Sequence, residues 1–305
     1  MCRVLSYLGQ PIVIEELLYQ PDNSFIKQSY HPKYMSHLLN LAGFGMAAWD
    51  NTSHQQRFPY LYKTPQLPFY DENLRSLAKK IAPHCLLAHL RGVAYDSNLI
   101  VSLQNVHPFV FNGSNLALAH NGALFNFEKM KFDLLEFIKP EFRIDIQGTT
   151  DSEWIYAVLL SQLSSKDSKL TVEEISNAII ETLKILQQTR HKHKIAINSP
   201  VNIFVTNGEF IAATRFVLDY GWQPAGLKGI EHFTYHSLFY TYGERYGFYD
   251  DEYKMKASKT KSSIIIASEP LTEDTTTWVE VPEYTLIVAS MNAGEIDIVS
   301  KDINI

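Results

Sequence analysis

The chain has 305 residues, a formal net charge of −6 at pH 7, 46% hydrophobic residues and 20% charged residues. This composition is that of a globular chain rather than a disordered or fibrous one. Acids and bases are mixed throughout, so nucleic acid is not indicated as a partner. No apolar run approaches the roughly 20 residues of a membrane span. No secretory signal is apparent, so we expect a cytoplasmic protein with a single domain over residues 1–305.

The first part of the chain predicts β-strands separated by turns. Arg3 to Leu8 is rich in β-forming residues and stops at Gly9-Gln10-Pro11, which indicates a strand followed by a turn. Cys2 therefore lies at the start of a strand. Short apolar or alternating runs predict three more strands, at residues 44–49, 84–91 and 116–120.

The middle of the chain predicts two amphipathic helices. From Asp151 to Leu163 the apolar residues fall on one helical face, and the same spacing recurs from Val172 to Leu186. Residues 164–168 form a polar connection between them, and a second polar connection is predicted to begin at residue 191.

The last third returns to strands. Residues 201–206 and 209–214 flank Asn207-Gly208, which is the strongest short-range signal of a β-hairpin. More strands are predicted at residues 264–268, 277–281, 285–289 and 295–299. Strands, then helices, then strands favour an α+β sandwich of antiparallel sheets covered by helices over a doubly wound parallel sheet.

The chain has two cysteines, Cys2 and Cys85, and a reducing compartment would keep both as thiols. Removal of Met1 would give Cys2 both a thiol and a free α-amine. An α-amine has a reference pKa of about 7.7 to 8.0, so it can accept the thiol proton without a separate histidine. Cys2 is therefore a candidate nucleophile, and the alternative is an incidental second-position cysteine. Cys85 lies in an apolar strand pattern, where an unreactive buried thiol is expected.

Two predicted strands end in groups that suit a polar substrate. Arg91 follows one strand, and its guanidinium can hold a carboxylate through two parallel hydrogen bonds. Asn121-Gly122 follows another, where a side-chain amide and a neighbouring backbone N–H can form an oxyanion hole. The alternatives are an ordinary surface arginine and a hairpin turn, since Asn-Gly is the usual turn pair.

The start of the first predicted helix and an X-Pro turn supply further candidates. Thr150 and Glu153 have the spacing of a capping box, and Asp151 falls in the first helical turn. Asp151 either contacts a ligand or simply stabilises the helix through a favourable interaction with the helix dipole. His107 precedes a proline and either lines a pocket or fills one. Thr150, Asp151 and His107 are therefore candidate substrate-binding residues.

These segments, in this order behind Cys2, resemble the class II glutamine amidotransferases, which are N-terminal-nucleophile amide hydrolases. The likeness is to their stand-alone branch, which includes a fungal glutathione-degrading component and the γ-glutamyl hydrolase of ergothioneine biosynthesis. It runs almost end to end and extends to Leu17-Leu18, Gln28-Ser29, Gly43-Phe44-Gly45, Ser237-Leu238-Phe239-Tyr240 and Ala267-Ser268-Glu269-Pro270-Leu271. The resemblance implies a four-layer αββα sandwich of two antiparallel sheets.

The resemblance also implies roles for individual residues. Cys2 would be the nucleophile and its amine the base, while Asn121 and the Gly122 N–H would stabilise the tetrahedral oxyanion. Arg91 would bind the α-carboxylate of a glutamyl group and Asp151 its α-ammonium. The expected reaction is hydrolysis of a γ-glutamyl amide through a glutamyl thioester, without a cofactor or metal.

Four positions depart from the family pattern, and they leave alternatives open. Ala42 stands where relatives usually have an acid, Gly92-Val93 replaces a small residue and a hydroxyl, and Asn23 replaces a common histidine. A non-catalytic module that binds γ-glutamyl ligands, a glutaminase subunit that passes ammonia to a partner, and an acylase for non-glutamyl amides are therefore alternatives. A homo-oligomer or a partner subunit is also left open.

A metal site is not indicated by the histidines. His191 and His193 lack the spacing of metal ligands, and their polar surroundings favour a solvated loop. The expected partner is instead a small γ-glutamyl molecule, with neither nucleic acid nor a membrane.

Overall fold

The computed structural model describes residues 2–34, 40–93, 100–164, 170–219 and 236–305. The helices in these ranges are α1 Ile14–Leu18, α2 Glu72–Ala78, α3 Phe127–Met130, α4 Pro140–Arg143, α5 Asp151–Gln162 and α6 Val172–Lys192. The strands are β1 Arg3–Leu8, β2 Phe44–Trp49, β3 Tyr60–Thr64, β4 Cys85–Leu90, β5 Ala117–Gly122, β6 Ser199–Thr206, β7 Phe210–Arg215, β8 Val217–Leu218, β9 Phe239–Gly243, β10 Tyr246–Tyr249, β11 Glu252–Met255, β12 Ser263–Ala267, β13 Val279–Glu280, β14 Thr285–Asn292 and β15 Glu295–Asp302.

The strands form two large antiparallel sheets. The first has the order β13-β9-β12-β1-β4-β2-β3, and the second has the order β15-β14-β7-β6-β5, with β8 also paired to β6. Strands β10 and β11 form a separate hairpin. The predicted hairpin is confirmed as β6 and β7, which pair in register as Thr206 with Ile211.

Three apolar cores show that the sheets and helices are stacked in four layers. Residues of both sheets, such as Val4 of β1 and Ala119 of β5, share the core between the sheets. The other face of the first sheet packs on α1 and α2, for example through Leu17 and Leu74. The other face of the second sheet packs on α5 and α6. The expected αββα sandwich is therefore confirmed.

The second predicted helix extends further than its apolar spacing indicated. α6 ends at Lys192 rather than near Leu186, so His191 lies on a helix and not in a solvated loop. The added turns are held because Arg190, which is wholly buried, forms an ion pair of 2.8 Å with Asp219. Among the described residues, no helix is both long and apolar enough to cross a membrane.

The register of the first sheet brings three predicted segments to one end of the sandwich. Arg3 of β1 pairs with Leu90 of β4, so Cys2 lies beside Arg91, one residue beyond each strand. Strand β5 ends at Gly122 in the facing sheet, and β1, β4 and β5 lie in contact across the sandwich. The antiparallel pairing of β1 therefore places the first residues of the chain at the candidate site.

Candidate active site

Cys2 lies at the start of β1 with 8% of its surface exposed. Its Sγ is 3.4 Å from the backbone N of Gly92 and 3.5 Å from the carbonyl oxygen of the same residue. A thiol can accept a hydrogen bond from one backbone group and donate to the other. Gly92, which departs from the family pattern, therefore contacts the sulfur directly.

A buried ion pair holds the backbone of Cys2. The Arg3 Nη1 donates to the carbonyl oxygen of Cys2 over 3.0 Å, and its Nη2 lies 2.6 Å from Glu269 Oε1. Both charged side chains are fully buried. Burial lowers the pKa of Arg3, and the carboxylate of Glu269 and the negative form of Cys2 oppose this shift. Removing either partner of a buried ion pair leaves an uncompensated buried charge, so the pair is held firmly and fixes the carbonyl group of Cys2.

Arg91 lies beside Cys2, one residue beyond the end of β4. The side chain is 6% exposed, and its Nη1 donates to the carbonyl oxygen of Ile100 over 3.2 Å. Burial lowers the pKa of Arg91, whereas the negative charges of Cys2 and Asp151 raise it. The guanidinium therefore lies close enough to Cys2 and Asp151 to interact electrostatically with both.

The ends of β1 and β5 are tied together by Ser268. The Oγ of Ser268 lies 3.1 Å from Asn121 Nδ2 and 3.0 Å from the backbone N of Val4. Asn121 and Gly122 belong to β5, so the alternative that they form a hairpin turn is wrong. A Cβ at Gly122 would overlap the carbonyl oxygen of Pro200, so only glycine fits there.

Asp151 begins α5 and is fixed to the end of β5. Its Oδ2 accepts a hydrogen bond of 2.6 Å from the backbone N of Leu124, and its Oδ1 accepts one of 3.1 Å from Ser152 Oγ. The side chain is 18% exposed. The first-turn position is confirmed, and the carboxylate also contacts the segment that follows Gly122.

The capping box predicted at the start of α5 is wrong. Thr150 is the N-cap residue, but its side chain makes no capping hydrogen bond. The carboxylate of Glu153 instead accepts hydrogen bonds of 2.9 to 3.1 Å from the backbone N of Gln147 and Gly148. A capping box does form at the start of α6, between Thr171 and Glu174. At α5 the carboxylate of Glu153 therefore stabilises the preceding turn instead of capping the helix.

That turn is also fastened to the segment beside Arg91. Asn105 Nδ2 donates to the carbonyl oxygen of Ile100 and to Thr149 Oγ1, over 3.1 and 2.9 Å. Its Oδ1 accepts a hydrogen bond of 2.8 Å from the backbone N of Thr149. Because Ile100 also accepts from Arg91, Asn105 connects the surroundings of the guanidinium to those of Asp151.

His107 is packed inside the protein. It is 3% exposed, and its ring centroid lies 4.0 Å from that of His89 and 4.6 Å from that of Phe109. Burial holds the pKa of His107 and of His89 well below the usual value, and Arg91 lowers both further. His107 therefore fills space inside the protein, where it packs against His89 of β4 and against Phe109.

Cys85 is remote from polar reactants. It is wholly buried in β4, its Sγ lies 3.3 Å from Thr206 Oγ1, and burial raises its pKa to about 12.

The two histidines near the end of α6 each contact one acidic side chain, His191 that of Asp219 and His193 that of Asp133. No cluster of three or more His, Cys, Asp or Glu within the described ranges could hold a metal ion.

Sequence reasoning missed several residues that organise the site. Ser268 and Glu269 were noticed only as part of a family segment, and Arg3 only as the neighbour of Cys2. Glu153 was interpreted as a cap. Arg3, Ser268 and Glu269 contact partners far away in the chain, for example at a sequence separation of 264 for Val4 and Ser268, so no local pattern could have revealed these contacts. Glu153 instead accepts hydrogen bonds from residues five and six positions earlier, which the capping-box spacing did not indicate.

Comparison with known proteins identifies the family of this chain and, through the family, an enzyme of the amidohydrolase class. The family model described as "Glutamine amidotransferases class-II" matches residues 29–224. The chain therefore belongs to the class II glutamine amidotransferases, and the resemblance of the sequence is confirmed.

The chain is similar to several curated proteins of this kind. It is 29% identical to the probable glutamine amidotransferase DUG3 of Saccharomyces cerevisiae, with 94% of this chain and 81% of that protein covered. It is 30% identical to the gamma-glutamyl-hercynylcysteine sulfoxide hydrolase of Mycobacterium tuberculosis, over 41% of this chain and 50% of that protein. These relatives support an amidohydrolase.

Solved structures show the same fold at low sequence identity. A glutamine aminotransferase class-II domain protein from Silicibacter pomeroyi is 19% identical with a TM-score of 0.60, and the match covers 99% of both chains. The glutamine phosphoribosylpyrophosphate amidotransferase of Bacillus subtilis is 16% identical with a TM-score of 0.55, over 99% of this chain and 49% of that one.

Proposed function

We propose that this chain hydrolyses a γ-glutamyl amide bond with Cys2 as its nucleophile after Met1 has been removed. The observation that supports this most strongly is the position of the Cys2 sulfur, 3.4 Å from the backbone N of the residue that follows Arg91. The nucleophile and the cation that binds the substrate carboxylate are therefore neighbours. Asn121 is linked through Ser268 to the same strand.

The first half of the reaction forms a thioester. The α-amine of Cys2 accepts the thiol proton, and the sulfur attacks the γ-carbonyl carbon. Asn121 Nδ2 and the backbone N–H of Gly122 donate to the oxyanion that results, and one such donor is worth about 3 to 4 kcal/mol. The carbon–nitrogen bond then breaks, and the amine returns its proton to the leaving nitrogen.

Water completes the reaction by hydrolysing the thioester. The α-amine accepts a proton from water, whose oxygen attacks the thioester carbonyl through a second tetrahedral oxyanion at the same donors. The carbon–sulfur bond breaks, glutamate is released and the sulfur regains a proton. No electron acceptor and no additional ion is needed for the balance of these two steps.

The substrate is held by opposite charges at its amino-acid end. Arg91 binds the α-carboxylate and Asp151 binds the α-ammonium, which fixes the γ-carbonyl beside the sulfur. Thr150 adjoins Asp151 and is proposed to contact the same end of the substrate. His107 is proposed to support the end of β4, since its buried ring lies 4.0 Å from that of His89, two residues before Arg91.

The substrate class follows from the relatives, one of which is named as a hydrolase of a γ-glutamyl compound that contains cysteine sulfoxide. We therefore propose γ-glutamyl peptides or γ-glutamyl thiol compounds as substrates, with glutamine as a simpler analogue. Hydrolysis is preferred to transfer of ammonia because the named activity of that relative is hydrolysis.

The test is glutamate release from glutamine, from glutathione and from other γ-glutamyl amides. We expect the wild-type protein and Cys85→Ala to release glutamate, and Cys2→Ala to release none above the uncatalysed rate. If the wild type binds these compounds but releases no more glutamate than Cys2→Ala, the protein is a binding module. Ala42, Gly92 and Val93 are the departures from the family pattern that motivate this second candidate.

A further inference from the structure

Ser268 lies where the strand of the nucleophile meets the proposed oxyanion donor. Its side-chain oxygen is 3.0 Å from the backbone N of Val4 and 3.1 Å from Asn121 Nδ2, and the residue is 1% exposed. The backbone of Ser268 also donates to the carbonyl oxygen of Val4 over 2.9 Å. One hydroxyl therefore contacts both the strand that begins after Cys2 and the amide of Asn121.

The hydrogen bonds of this hydroxyl do not balance when Asn121 donates to it. A serine hydroxyl has one proton to donate and two lone pairs to accept. The N–H of Val4 uses one lone pair, and Asn121 Nδ2 uses the other. The hydroxyl proton then has no acceptor in the described part of the chain, and Asn121 Oδ1 is buried there without a donor. Buried polar groups in folded proteins are normally paired.

Half a turn of the Asn121 amide gives the hydroxyl proton of Ser268 an acceptor, and the unpaired atom of the amide becomes the nitrogen instead of the oxygen. The oxygen and the nitrogen of an amide have nearly the same shape, so this rotation changes the hydrogen bonds without changing the packing. Ser268 then accepts from the N–H of Val4 and donates its own proton to Asn121 Oδ1. The Nδ2 of Asn121 moves to the position of the oxygen, which has no hydrogen-bond partner in the described part of the chain, so both of its hydrogens are left for a ligand.

We propose that Ser268 is a positioning residue that selects this rotated orientation and so presents Asn121 Nδ2 to the oxyanion. The inference rests on the proposed function, because the oxyanion exists only in that reaction. It links the nucleophile and the oxyanion donor through one side chain, since the same hydroxyl is fixed to β1 through Val4.

Ser268→Ala tests this role through the separation of kcat from KM. Loss of the hydroxyl lets the amide rotate freely, so we expect kcat for glutamate release to fall by about 10- to 100-fold, part of the about 100- to 1,000-fold effect of a whole oxyanion donor. KM should change by less than about threefold, since Arg91 and Asp151 still hold the substrate. Ser268→Thr keeps the hydroxyl and should restore most of kcat.

A matched control and a double variant separate this role from a structural one. Ser237 Oγ donates to the carbonyl oxygen of Ser268 over 2.7 Å, so Ser237→Ala removes a buried hydroxyl beside Ser268 without touching Asn121. Its kcat should stay close to that of the wild type. In an Asn121→Ala background, Ser268→Ala should cause little further loss, because the amide that it orients is gone.

Two results would overturn the inference. One is an unchanged kcat in Ser268→Ala. The other is that Ser268→Ala lowers kcat by the same factor whether residue 121 is asparagine or alanine, which would mean that the hydroxyl serves only to hold Val4. The wild type and Cys2→Ala are measured in the same assay. If neither protein releases glutamate, the proposed function fails and the inference fails with it. If glutamate release depends on Cys2, the proposed function stands, and the Ser268 variants then test the positioning role by itself.

Discussion

At the scale of single residues, the two thiols differ in burial and in neighbours. Cys85 is enclosed in β4, and burial raises its pKa to about 12, so almost no thiolate forms near neutral pH. Cys2 retains some exposed surface and contacts the backbone of Gly92. Chemical modification should therefore distinguish them.

We expect iodoacetamide at pH 8 to alkylate the folded protein once, at Cys2, as measured by intact mass and peptide mapping. Cys85→Ala should be alkylated to the same extent as the wild type, and Cys2→Ala should stay unmodified until it is unfolded. Rapid alkylation of Cys85 in the folded protein would show that β4 is not protected as the structure indicates.

Arg91 supplies the positive half of the proposed substrate clamp. Arg91→Ala leaves the α-carboxylate without its partner, so we expect kcat/KM for γ-glutamyl amides to fall by about 100-fold or more, mainly through KM. Arg75→Ala, at the end of α2, is the control and should behave as the wild type. Unchanged kinetics in Arg91→Ala would favour an acylase that acts on non-glutamyl amides.

At the scale of single elements, the turn before α5 decides where Asp151 lies. Glu153 is 2% exposed and accepts hydrogen bonds from the backbone N of Gln147 and Gly148. A Cβ at Gly148 would overlap Asn105 Oδ1 and Glu153 Oε2, so the turn closes tightly on the carboxylate. Burial raises the pKa of Glu153, and these backbone donors oppose the shift.

Glu153→Gln should impair recognition of the substrate ammonium group by loosening this turn. We expect kcat/KM for glutamine to fall by about tenfold, and the loss for glutaramate, which lacks the α-amine, to be much smaller. Glu174→Gln changes the acid at the same position of α6 and should have no effect on either substrate. Equal losses for glutamine and glutaramate would show that Glu153 serves the fold and not Asp151.

The elements also show what could be inferred from the sequence. β1 and β2 were predicted with their observed bounds, and β1 ends at a clear turn signal, Gly9-Gln10-Pro11. The start of α5 was predicted, but its capping was wrong, because Glu153 reaches the backbone of Gln147 instead. β9 to β11 were missed, since their aromatic residues and glycines do not alternate as a buried strand does.

Only those residues of the candidate site whose reactive or charged side chains lie in a local motif could be predicted from the sequence. Cys2, Arg91, Asn121 and Asp151 belong to local motifs, and the structure brings them to one end of the sandwich. Residues whose contacts are distant in the chain, such as Ser268, could be recognised only from the pairing of the strands.

At the scale of the whole molecule, buried histidines make stability depend on pH. His89, His107 and His236 are each 3% exposed or less, and burial lowers the pKa of each well below 6.5. The folded state keeps them neutral while the unfolded state protonates them near pH 6.5. Stability is therefore full above about pH 6.5 and is lost as the pH falls below it.

Urea unfolding at pH 7.5, 6.0 and 5.0 measures this effect. Each such histidine contributes up to about 1.4 kcal/mol per pH unit in the window below pH 6.5, so the three together give a slope of up to about 4 kcal/mol per pH unit. Replacing the exposed His31 with Gln should leave the slope unchanged. A free energy of unfolding that stays level from pH 7.5 to 5.0 would contradict the buried, neutral state of these histidines.

The measurement that tests the central claim most directly is the intact mass of the active protein before and after treatment with a glutamine-like diazo-ketone. We predict a mature chain without Met1 that gains one adduct, mapped to Cys2, in step with the loss of glutamate release. Cys2→Ala should gain none. An active protein that keeps Met1, or an inactivating adduct on Cys85, would contradict an N-terminal cysteine nucleophile.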